Sequence, residues 1–558
     1  MKVKLIFPPL WTPTQPYLSI PTLASFLLSK GVEVEQEDLN LEMFEDILSE
    51  KFLDECWSRL VKMQGVEGEE DKRLRRVAKF ASRNVERYKY AFRSNDSLDN
   101  KTYKSCMTFF AACMKIACKA FPDNELSFDG VESKYNHKKS QDIMKCLVAN
   151  YEGKDDSLLS VLLSRRIDQS NFDCDLLGIS IIGVDQVIPA FSFIGILKNR
   201  YPDLKIVLGG PIVTRWAVNR DTSKLLQFYD YIDFIIRGEG EYALYALVLH
   251  LKDKIPIEKV PQVTYKNSDG VLKSNSEGET VDVNDLPPPV FNKIDIPRYF
   301  MPTTILPLLS NRGCYWGKCT FCDHSFIYNN TFRRKNTEKL LDEIVLLRNE
   351  YNANHFNFHD EAMLPSDMDA LSFAILGSSI NIKWSCDLRL DNRLTGDLLQ
   401  RAYDSGLRVL YFGLESINER VSALMKKGID VKRVKGILED ATRIGIFTHL
   451  FYIRGFPTET VFEFKETVDF ILENSDIIKR SGCADFSLGR YSPIAKDPRK
   501  YGLKIIENNE DLSLTYNFVK IEQQERCENE NESPSSDPFI FQRDHWVAVD
   551  WNSATDDL

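Results

Sequence analysis

The chain has 558 residues, 43% of them hydrophobic and 27% charged, with a net charge of −11 and a pI near 5.4. Its length predicts two or three domains, and its acidic balance argues against a nucleic-acid-binding protein, which would be basic. No apolar run approaches the ~20 residues of a membrane span and no export signal is evident, so we expect a cytoplasmic protein whose clustered cysteines are ligands rather than disulfides.

The first predicted elements are a strand, a proline-rich loop, an amphipathic helix closed by Gly31, and a second strand ending at Asp38. This β-α-β pattern is typical of a doubly wound sheet. It resumes with the buried strand CDLLGISII, a helix from Ile188 to Arg200, the strand KIVLGGP, and a strand-turn-helix segment, YIDFIIRGEGEYALYALVLHL. We therefore assign residues 1–50 and 173–260 to one Rossmann-like α/β domain.

The intervening residues 51–172 are polar, charged and mostly helical in pattern, which predicts a helical insertion. Cys106, Cys113 and Cys118 lie within it without a usual metal-ligand spacing, so we interpret them as small apolar residues of a buried helix. Residues 261–300 predict a β-hairpin turning at Asp269-Gly270, followed by the linker NDLPPPVF. Residues 501–558 are an acidic extension in which ENENESPSSD predicts disorder.

Residues 301–500 alternate between strands and helices. The strand TTILPLLS comes first, and HFNFHDE, IKWSCDLRLD, RVLYFGLES, FTHLFYIRGFP and CADFSLGRY follow it. Helices are predicted between them at 339–351, 367–376, 398–405, 431–444 and 459–473. Six strands with intervening helices predict a partial (β/α)6 barrel of parallel strands.

The loop after the first barrel strand, NRGCYWGKCTFCDH, spaces Cys314, Cys319 and Cys322 as C-x4-C-x2-C. A structural zinc site needs four ligands, and the local candidates for a fourth are Asp323 and His324. Three thiolates on one loop can instead bind three irons of a four-iron cluster and leave the fourth iron open. Because barrel enzymes place their chemistry at the carboxyl ends of the strands, we favour a cluster over zinc and over unliganded thiols.

This loop resembles that of the radical S-adenosylmethionine (SAM) enzymes, whose C-x3-C-x2-C loop follows the first strand of a partial barrel. Phe321 takes the aromatic position before the last cysteine, and one residue is inserted between the first two cysteines. The resemblance covers about residues 306–490. It implies a 4Fe-4S cluster whose open iron is chelated by SAM. An electron from that cluster would split the SAM sulfonium and release a 5′-deoxyadenosyl radical.

The later strand ends agree with this resemblance. Asp360 or Glu361, in FHDEAML, would accept a hydrogen bond from the SAM ammonium, and Ser385 and Arg389 would reach the ribose and the carboxylate. Each match is weak alone, because an acidic residue at a strand end is more often a helix cap. Together, in order at successive strand ends, the matches support the resemblance. The implied SAM-binding residues are Phe321, Asp360, Glu361, Ser385, Arg389, Glu415 and Tyr452.

The α/β domain resembles the cobalamin-binding domain of one radical SAM subfamily, through the order FPPL, LLGISII, VLGGP, FIIRGEGE, DLPPP and the cysteine loop. Ligands of such sheets bind beyond the carboxyl ends of the strands. Methionine-synthase-like domains carry a cobalt-ligating histidine in D-x-H-x-x-G, whereas this chain reads PPLWTP there, so no histidine ligand is implied. A scaffold without cofactor is the alternative. The implied cobalamin contacts are Pro9, Leu10, Ser180, Val184, Gln186, Gly209, Gly210, Pro211, Gly238, Glu239 and Glu241.

The resemblance therefore implies a cobalamin-dependent radical SAM methyltransferase that moves methyl from methylcobalamin to an unactivated carbon of a peptide or natural product. It also implies an electron donor such as flavodoxin or ferredoxin. Because such methylation needs no general acid or base, we interpret His324, His355 and His359 as structural or substrate-contacting. Two alternatives stay open: a non-methylating cobalamin enzyme that rearranges or cyclises its substrate, and a cofactor-binding sensor or partner without turnover.

Overall fold

The computed structural model describes residues 1–521 apart from 64–68, 95–99, 122–123, 129 and 219–221. It divides into two compact units: Met1–Thr304 with Glu510–Leu512, and Ile305–Asn509 with the described residues from Ser513 onward. The segment ENENESPSSD, for which disorder is predicted, lies outside the described residues. Within the described ranges, no helix combines the length and the apolar character needed to cross a membrane.

A seven-stranded sheet lies at the centre of the first unit, in the order β2-β1-β5-β6-β7-β8-β9. Neighbouring strands from β2 to β7 are parallel, and β8 and β9 continue the sheet as an antiparallel hairpin. The hairpin predicted at residues 261–300 is thus part of the α/β sheet. These strands are β1 (Lys2–Phe7), β2 (Glu33–Asp38), β5 (Leu176–Ser180), β6 (Lys205–Gly209), β7 (Phe234–Ile236), β8 (Val263–Lys266) and β9 (Leu272–Ser274).

The parallel part of this sheet has a doubly wound order in which the direction of winding reverses between β1 and β5, the usual ligand-binding position. Among the described residues, six of the unit's helices lie between β2 and β5 in the chain, with a short hairpin of β3 (Asn124–Leu126) and β4 (Val131–Ser133). The helices of the unit are α1 (Ser19–Ser29), α2 (Leu39–Ile47), α3 (Glu50–Lys62), α4 (Glu69–Arg93), α5 (Asn100–Ala120), α6 (Ser140–Tyr151), α7 (Leu158–Gln169), α8 (Val187–Arg200), α9 (Pro211–Val218) and α10 (Gly240–Leu251).

A six-stranded parallel sheet forms the second unit, in the order β10-β13-β14-β15-β16-β17. The strands follow one another in chain order, as in a partial barrel. They are β10 (Ile305–Leu308), β13 (His355–Phe358), β14 (Lys383–Arg389), β15 (Leu407–Glu415), β16 (Phe447–Arg454) and β17 (Arg480–Asp485). The helices are α11 (Thr337–Tyr351), α12 (Pro365–Ser378), α13 (Gly396–Asp404), α14 (Glu419–Met425), α15 (Val431–Ile444), α16 (Val461–Glu473) and α17 (Pro493–Lys496).

The described part of this unit also has two smaller sheets. A two-stranded ribbon of β11 (Asn311–Arg312) and β12 (Arg333–Arg334) encloses the cysteine loop. A three-stranded sheet of β18 (Leu488–Gly489), β20 (Thr515–Lys520) and β19 (Leu503–Ile506) extends into the region that composition indicated only as an acidic extension. The buried side chain of Leu503 explains this order, because it packs in an apolar cluster with Phe456 and Leu488.

Candidate active site

The cysteine loop follows β10 at the carboxyl end of the barrel sheet. Cys314, Cys319 and Cys322 are half-buried, and all the cysteines within the described residues are free thiols. In the described ranges, no three His, Cys, Asp or Glu side chains converge on a position that would bind one metal ion. A zinc site requires such convergence, whereas the thiolates of a four-iron cluster bind separate irons. Three thiolates on one loop are the donor set that a cluster of this kind requires.

The carboxylate of Asp360 fixes the start of this loop. It accepts hydrogen bonds from the backbone N of Ser310 at 2.7 Å, from the Ser310 hydroxyl at 2.5 Å and from the backbone N of Asn311 at 2.9 Å. Asp360 is only 3% exposed, and burial raises its pKa to about 6 in spite of these bonds. Its hydrogen-bonding capacity is thus largely used within the protein.

Glu361, the next residue, has a different environment. Its carboxylate lies 3.2 Å from Nδ1 of His324, and about a quarter of its side chain is exposed. Burial raises the pKa of the Cys322 thiol to about 12, and the charge of Glu361 acts in the same direction. Of the two neighbouring acids, Asp360 and Glu361, it is therefore Glu361 that lies beside the predicted cluster ligand Cys322.

Residues 424–428, which lie outside the cysteine motif, bind the loop through hydrogen bonds; we call this segment the loop support. Thr320 donates from its backbone N and its hydroxyl to two carbonyls of the support, at 2.9 and 3.0 Å. Nε1 of Trp316 donates to a third carbonyl at 2.8 Å. Gly428 has a φ of +67°, and a Cβ there would lie 2.0 Å from the Trp316 ring. The spacing of the cysteines did not predict this support.

Arg389, on β14, lies between the loop and its support. Its guanidinium is 4.2 Å from the ring centre of Trp316 and 5.4 Å from that of Tyr315. It also donates to the carbonyl of Lys427. Arg389 is 5% exposed, and its Nε has no hydrogen-bond partner among the described residues. A buried, unused guanidinium donor fits a carboxylate ligand; the binding of the SAM carboxylate by Arg389 stays a prediction.

Glu415 forms a buried ion pair with Lys427, whose Nζ lies 2.8 Å from Oε1. Glu415 has a φ of +62°, a conformation that non-glycine residues adopt mainly where the surroundings enforce it. A Cβ at Gly413 would lie 2.6 Å from both charged atoms, so a side chain there would displace the pair. The charge of Lys427 also lowers the pKa of Cys319, although burial raises that pKa overall.

The other three residues implied in SAM binding make contacts within the protein. Ser385 is fully buried and donates to Oδ1 of Asn357 at 2.8 Å. Phe321 packs against the apolar cluster around Phe456. Tyr452 is half-buried, and burial raises its pKa to about 12. Roles of these residues in SAM binding stay predictions.

In the first unit, Gln186 joins two loops at the point where the winding of the sheet reverses. Its Oε1 accepts from the backbone N of Ile182 at 2.9 Å and of Gly183 at 3.3 Å. Its Nε2 donates to the carbonyl of Pro8 at 2.6 Å. Through these bonds the fully buried Gln186 connects the loops after β1 and β5; its contact with cobalamin stays a prediction.

The glycines after β6 have two distinct roles. A Cβ at Gly209 would meet nothing within 4 Å, so this position borders open space. Gly210 has a φ of +100°, and a Cβ there would lie 2.3 Å from the carbonyl oxygen of Ile181, so the turn requires glycine. An open edge beside a tight turn is a fitting cradle for a bulky cofactor.

The remaining residues implied in cobalamin binding lie on the same edge of the sheet. Leu10 and Ser180 are buried, whereas Val184 is 36% exposed. Gly238 donates from its backbone N to Oγ1 of Thr214 at 3.0 Å. The others are placed as follows: Pro9 after β1, Pro211 at the start of α9, Glu239 just before α10, and Glu241 buried in its first turn.

Comparison with known proteins agrees with this arrangement. Residues 308–471 match the model of the radical SAM superfamily. An uncharacterized methyltransferase of Pyrococcus horikoshii is 26% identical over 305 residues, which are 54% of this chain and 64% of the relative. An anaerobic magnesium-protoporphyrin IX monomethyl ester cyclase of Synechocystis is 24% identical over 247 residues, 42% of this chain and 46% of the relative. The match thus spans less than two thirds of these relatives.

Two solved structures share the fold over nearly the whole chain. The cobalamin-dependent radical SAM enzyme OxsB, solved with aqua-cobalamin, has a TM-score of 0.59 at 16% identity, covering 94% of this chain and 66% of that one. The radical SAM methyltransferase TsrM from Kitasatospora setae, solved with cobalamin and an iron–sulfur cluster, has a TM-score of 0.57 at 13% identity, covering 92% and 84%. These matches confirm the predicted fold class. The match of residues 308–471 to the radical SAM superfamily implies a 4Fe-4S cluster and SAM as cofactors.

Proposed function

We propose that this chain, a radical SAM enzyme with the fold of the cobalamin-dependent enzymes of that superfamily, is a methyltransferase that acts on an unactivated carbon of a peptide or natural product. One observation carries the proposal: a three-cysteine loop at the carboxyl end of a barrel strand occurs in one chain with a doubly wound sheet that has an open glycine edge at Gly209. Several related proteins, such as the one from Pyrococcus horikoshii, are named methyltransferases.

The first half of the proposal concerns the barrel. Cys314, Cys319 and Cys322 would bind the cluster, which supplies the electron for SAM cleavage when it is present. The unused Nε of Arg389 would bind the SAM carboxylate. Glu361 is our candidate for the SAM ammonium, because the oxygens of Asp360 are already used by Ser310 and Asn311.

The second half concerns the α/β unit, where cobalamin would supply the methyl group. Gly209 would let the cofactor approach the edge of the sheet, and Gly210 would keep the turn tight. Gln186 would fix the two loops of the switch point and thereby shape the site. Pro8 to Pro13 contain no histidine, so this loop offers cobalt no imidazole ligand.

A specific observation supports a second candidate function. The Synechocystis relative is named a cyclase rather than a methyltransferase, so a cobalamin-dependent enzyme that rearranges or cyclises its substrate is the alternative. Both functions would use the same cysteine loop, and they differ in the fate of the SAM methyl group.

The experiment is an anaerobic reconstitution with iron, sulfide and cobalamin, followed by methyl-labelled SAM and titanium(III) citrate. We expect 5′-deoxyadenosine together with label that co-elutes with cobalamin. Cys322→Ala should abolish the 5′-deoxyadenosine, whereas Cys174→Ala, which alters another half-buried thiol, should leave it unchanged. 5′-Deoxyadenosine without labelled cobalamin would favour the second candidate, and the absence of both products from a fully loaded protein would contradict the proposal.

A further inference from the structure

Helices α4 and α5 of the first unit differ in charge from the rest of the chain. Residues 69–120, which contain both helices, have 13 Lys and Arg against six Asp and Glu, a net charge of +7 in a chain whose net charge is −11. Residues 100–120, the whole of α5, contain no acidic residue. Neither the proposed SAM site nor the proposed cobalamin site uses these helices. Positive charge concentrated in one segment of an acidic chain indicates a surface for an anionic partner.

The cations of α4 lie on one exposed face of the helix. From Lys72 to Tyr90, exposed side chains recur every three or four residues, which places them on the same side, whereas positions on the opposite side, such as Val85, are buried. The one acid of this face, Glu86, lies 3.0 Å from Nζ of the buried Lys89. Six cations form what we call the basic face: Lys72, Arg73, Arg76, Lys79, Arg83 and Arg87.

The charge of the basic face is not neutralised by the protein around it. Arg73, Arg83 and Arg87 form no ion pair with a residue that the structure describes. Nε of Arg76 donates to the carbonyl of Lys72, one turn earlier on the same helix. These guanidinium groups are therefore available to an external anion, and a guanidinium binds a phosphate through two parallel hydrogen bonds.

Apolar side chains project from the same side of α4. Phe80 is 53% exposed and Tyr90 is 73% exposed, and Val77 is exposed beside them. The ring of Phe80 meets only the edge of Phe109 on α5, with 6.3 Å between the ring centres. Aromatic rings that alternate with Lys and Arg along one side of a helix are typical of a helix lying in the interface of a bilayer. The rings reach the acyl boundary there, and the cations meet the lipid headgroups.

The shape of this surface favours one class of anionic partner. The basic face is one side of a single helix, about 26 Å long from Arg73 to Tyr90, and such a surface is convex. Single-stranded nucleic acids and extended peptides are bound mainly in grooves or along sheet edges, whereas a lipid surface needs no concave site.

We propose that the basic face of α4 binds the surface of an anionic lipid bilayer. Its arginines and lysines pair with the lipid phosphates, and the rings of Phe80 and Tyr90 enter the headgroup region. The inference goes beyond the proposed function and does not depend on it, because it uses only residues of α4.

The test measures co-sedimentation of the full chain with two kinds of vesicle: phosphatidylcholine alone, and phosphatidylcholine mixed equally with phosphatidylglycerol. We expect binding to the anionic vesicles only, and weaker binding as the salt concentration rises. Arg83→Gln/Arg87→Gln should bind about thirtyfold more weakly, since each cation near an anionic bilayer contributes about fivefold in affinity. The control, Lys252→Gln/Lys254→Gln, removes the same charge from two exposed lysines just after α10 and should keep wild-type affinity.

A second variant separates the rings from the charges. Tyr90→Ala removes an exposed ring and no charge, so it should weaken vesicle binding several-fold at an unchanged melting temperature. If Arg83→Gln/Arg87→Gln loses stability, Arg73→Gln replaces it and should bind about fivefold more weakly. Wild-type protein that binds a single-stranded RNA but not the anionic vesicles would overturn the inference. Equal binding to both kinds of vesicle, or equal losses in the two double variants, would overturn it as well.

Discussion

Replacing Gly428 by alanine tests whether the loop support positions the cysteine loop. With φ at +67°, the substitution forces an L-residue into the left-handed region, which costs about 1 kcal/mol. The new Cβ would also lie 2.0 Å from the Trp316 ring, and overpacking of this kind costs about 1–3 kcal/mol. If Trp316 moves instead, its hydrogen bond to the support and its stacking on Arg389 are lost, at a similar cost.

We therefore expect Gly428→Ala to destabilise the second unit by about 2–4 kcal/mol, a fall in melting temperature of roughly 4–16 °C. Iron bound per chain after reconstitution should fall as well. The matched control is Gly436→Ala, which changes an exposed glycine in the middle of α15 where a Cβ meets nothing within 4 Å; alanine should stabilise that helix slightly. Adding Trp316→Ala to Gly428→Ala removes the clash and should restore part of the stability. Wild-type iron content and melting temperature in Gly428→Ala would refute the role of the support.

Three further predictions concern other buried groups. Arg389→Lys, which keeps the charge but loses the planar stack and the Nε donor, should weaken equilibrium binding of SAM about tenfold without loss of iron; unchanged affinity would contradict its role. Gln186→Ala leaves the Pro8 carbonyl and the Ile182 amide without partners, so urea unfolding should show a loss of about 2–4 kcal/mol with weaker cobalamin retention. Burial raises the pKa of Asp38 from 3.8 to about 6. The unfolded chain therefore ionises this carboxyl at a lower pH than the folded protein does, so the free energy of unfolding of wild type should fall by up to about 3 kcal/mol as the pH rises from 4 to 6, relative to Asp38→Asn. Parallel stability curves would contradict this.

The elements predicted best from the sequence are the helices whose ends carry capping residues. The helix predicted at 431–444 has these bounds in the structure, because Asp430 caps its start and Gly445, with φ at +100°, ends it. The helix predicted from residue 459 begins instead at Val461, after a capping box that starts at Thr460. Local side-chain chemistry of this kind is readable along the chain.

The last barrel strand shows where such reading fails. CADFSLGRY predicts a strand from Cys483, but β17 runs from Arg480 to Asp485. Its first residues are polar, and they become a strand because Arg480 and Ser481 pair with β16 in parallel register. The hydrogen bonds of this strand come from pairing with a distant segment, and such pairing leaves no periodic apolar pattern in the sequence from which it could be predicted.

The same distinction applies to the site. The spacing of the cysteines identifies the predicted ligands, but the loop support lies more than 100 residues further along the chain. It contributes backbone carbonyls, which any residue provides, so the clue in the sequence is confined to the glycine at 428. The structure likewise separates Asp360 from Glu361, two neighbouring acids that the sequence treats as equivalent, since only Asp360 is bonded to the start of the loop.

In the loop support, two consecutive lysines point in opposite directions. Lys426 has a φ of +52°, and this left-handed turn leaves its side chain exposed to solvent while Lys427 is buried against Glu415. One lysine therefore belongs to the surface and the other to the interior beside Cys319. Gly428→Ala, which acts on the loop through Trp316, should therefore lower the iron content, whereas Lys426→Gln, which changes only an exposed side chain, should leave it unchanged. A loss of iron in Lys426→Gln as large as that in Gly428→Ala would mean that the side chain of Lys426, and not only its backbone carbonyl, holds the loop.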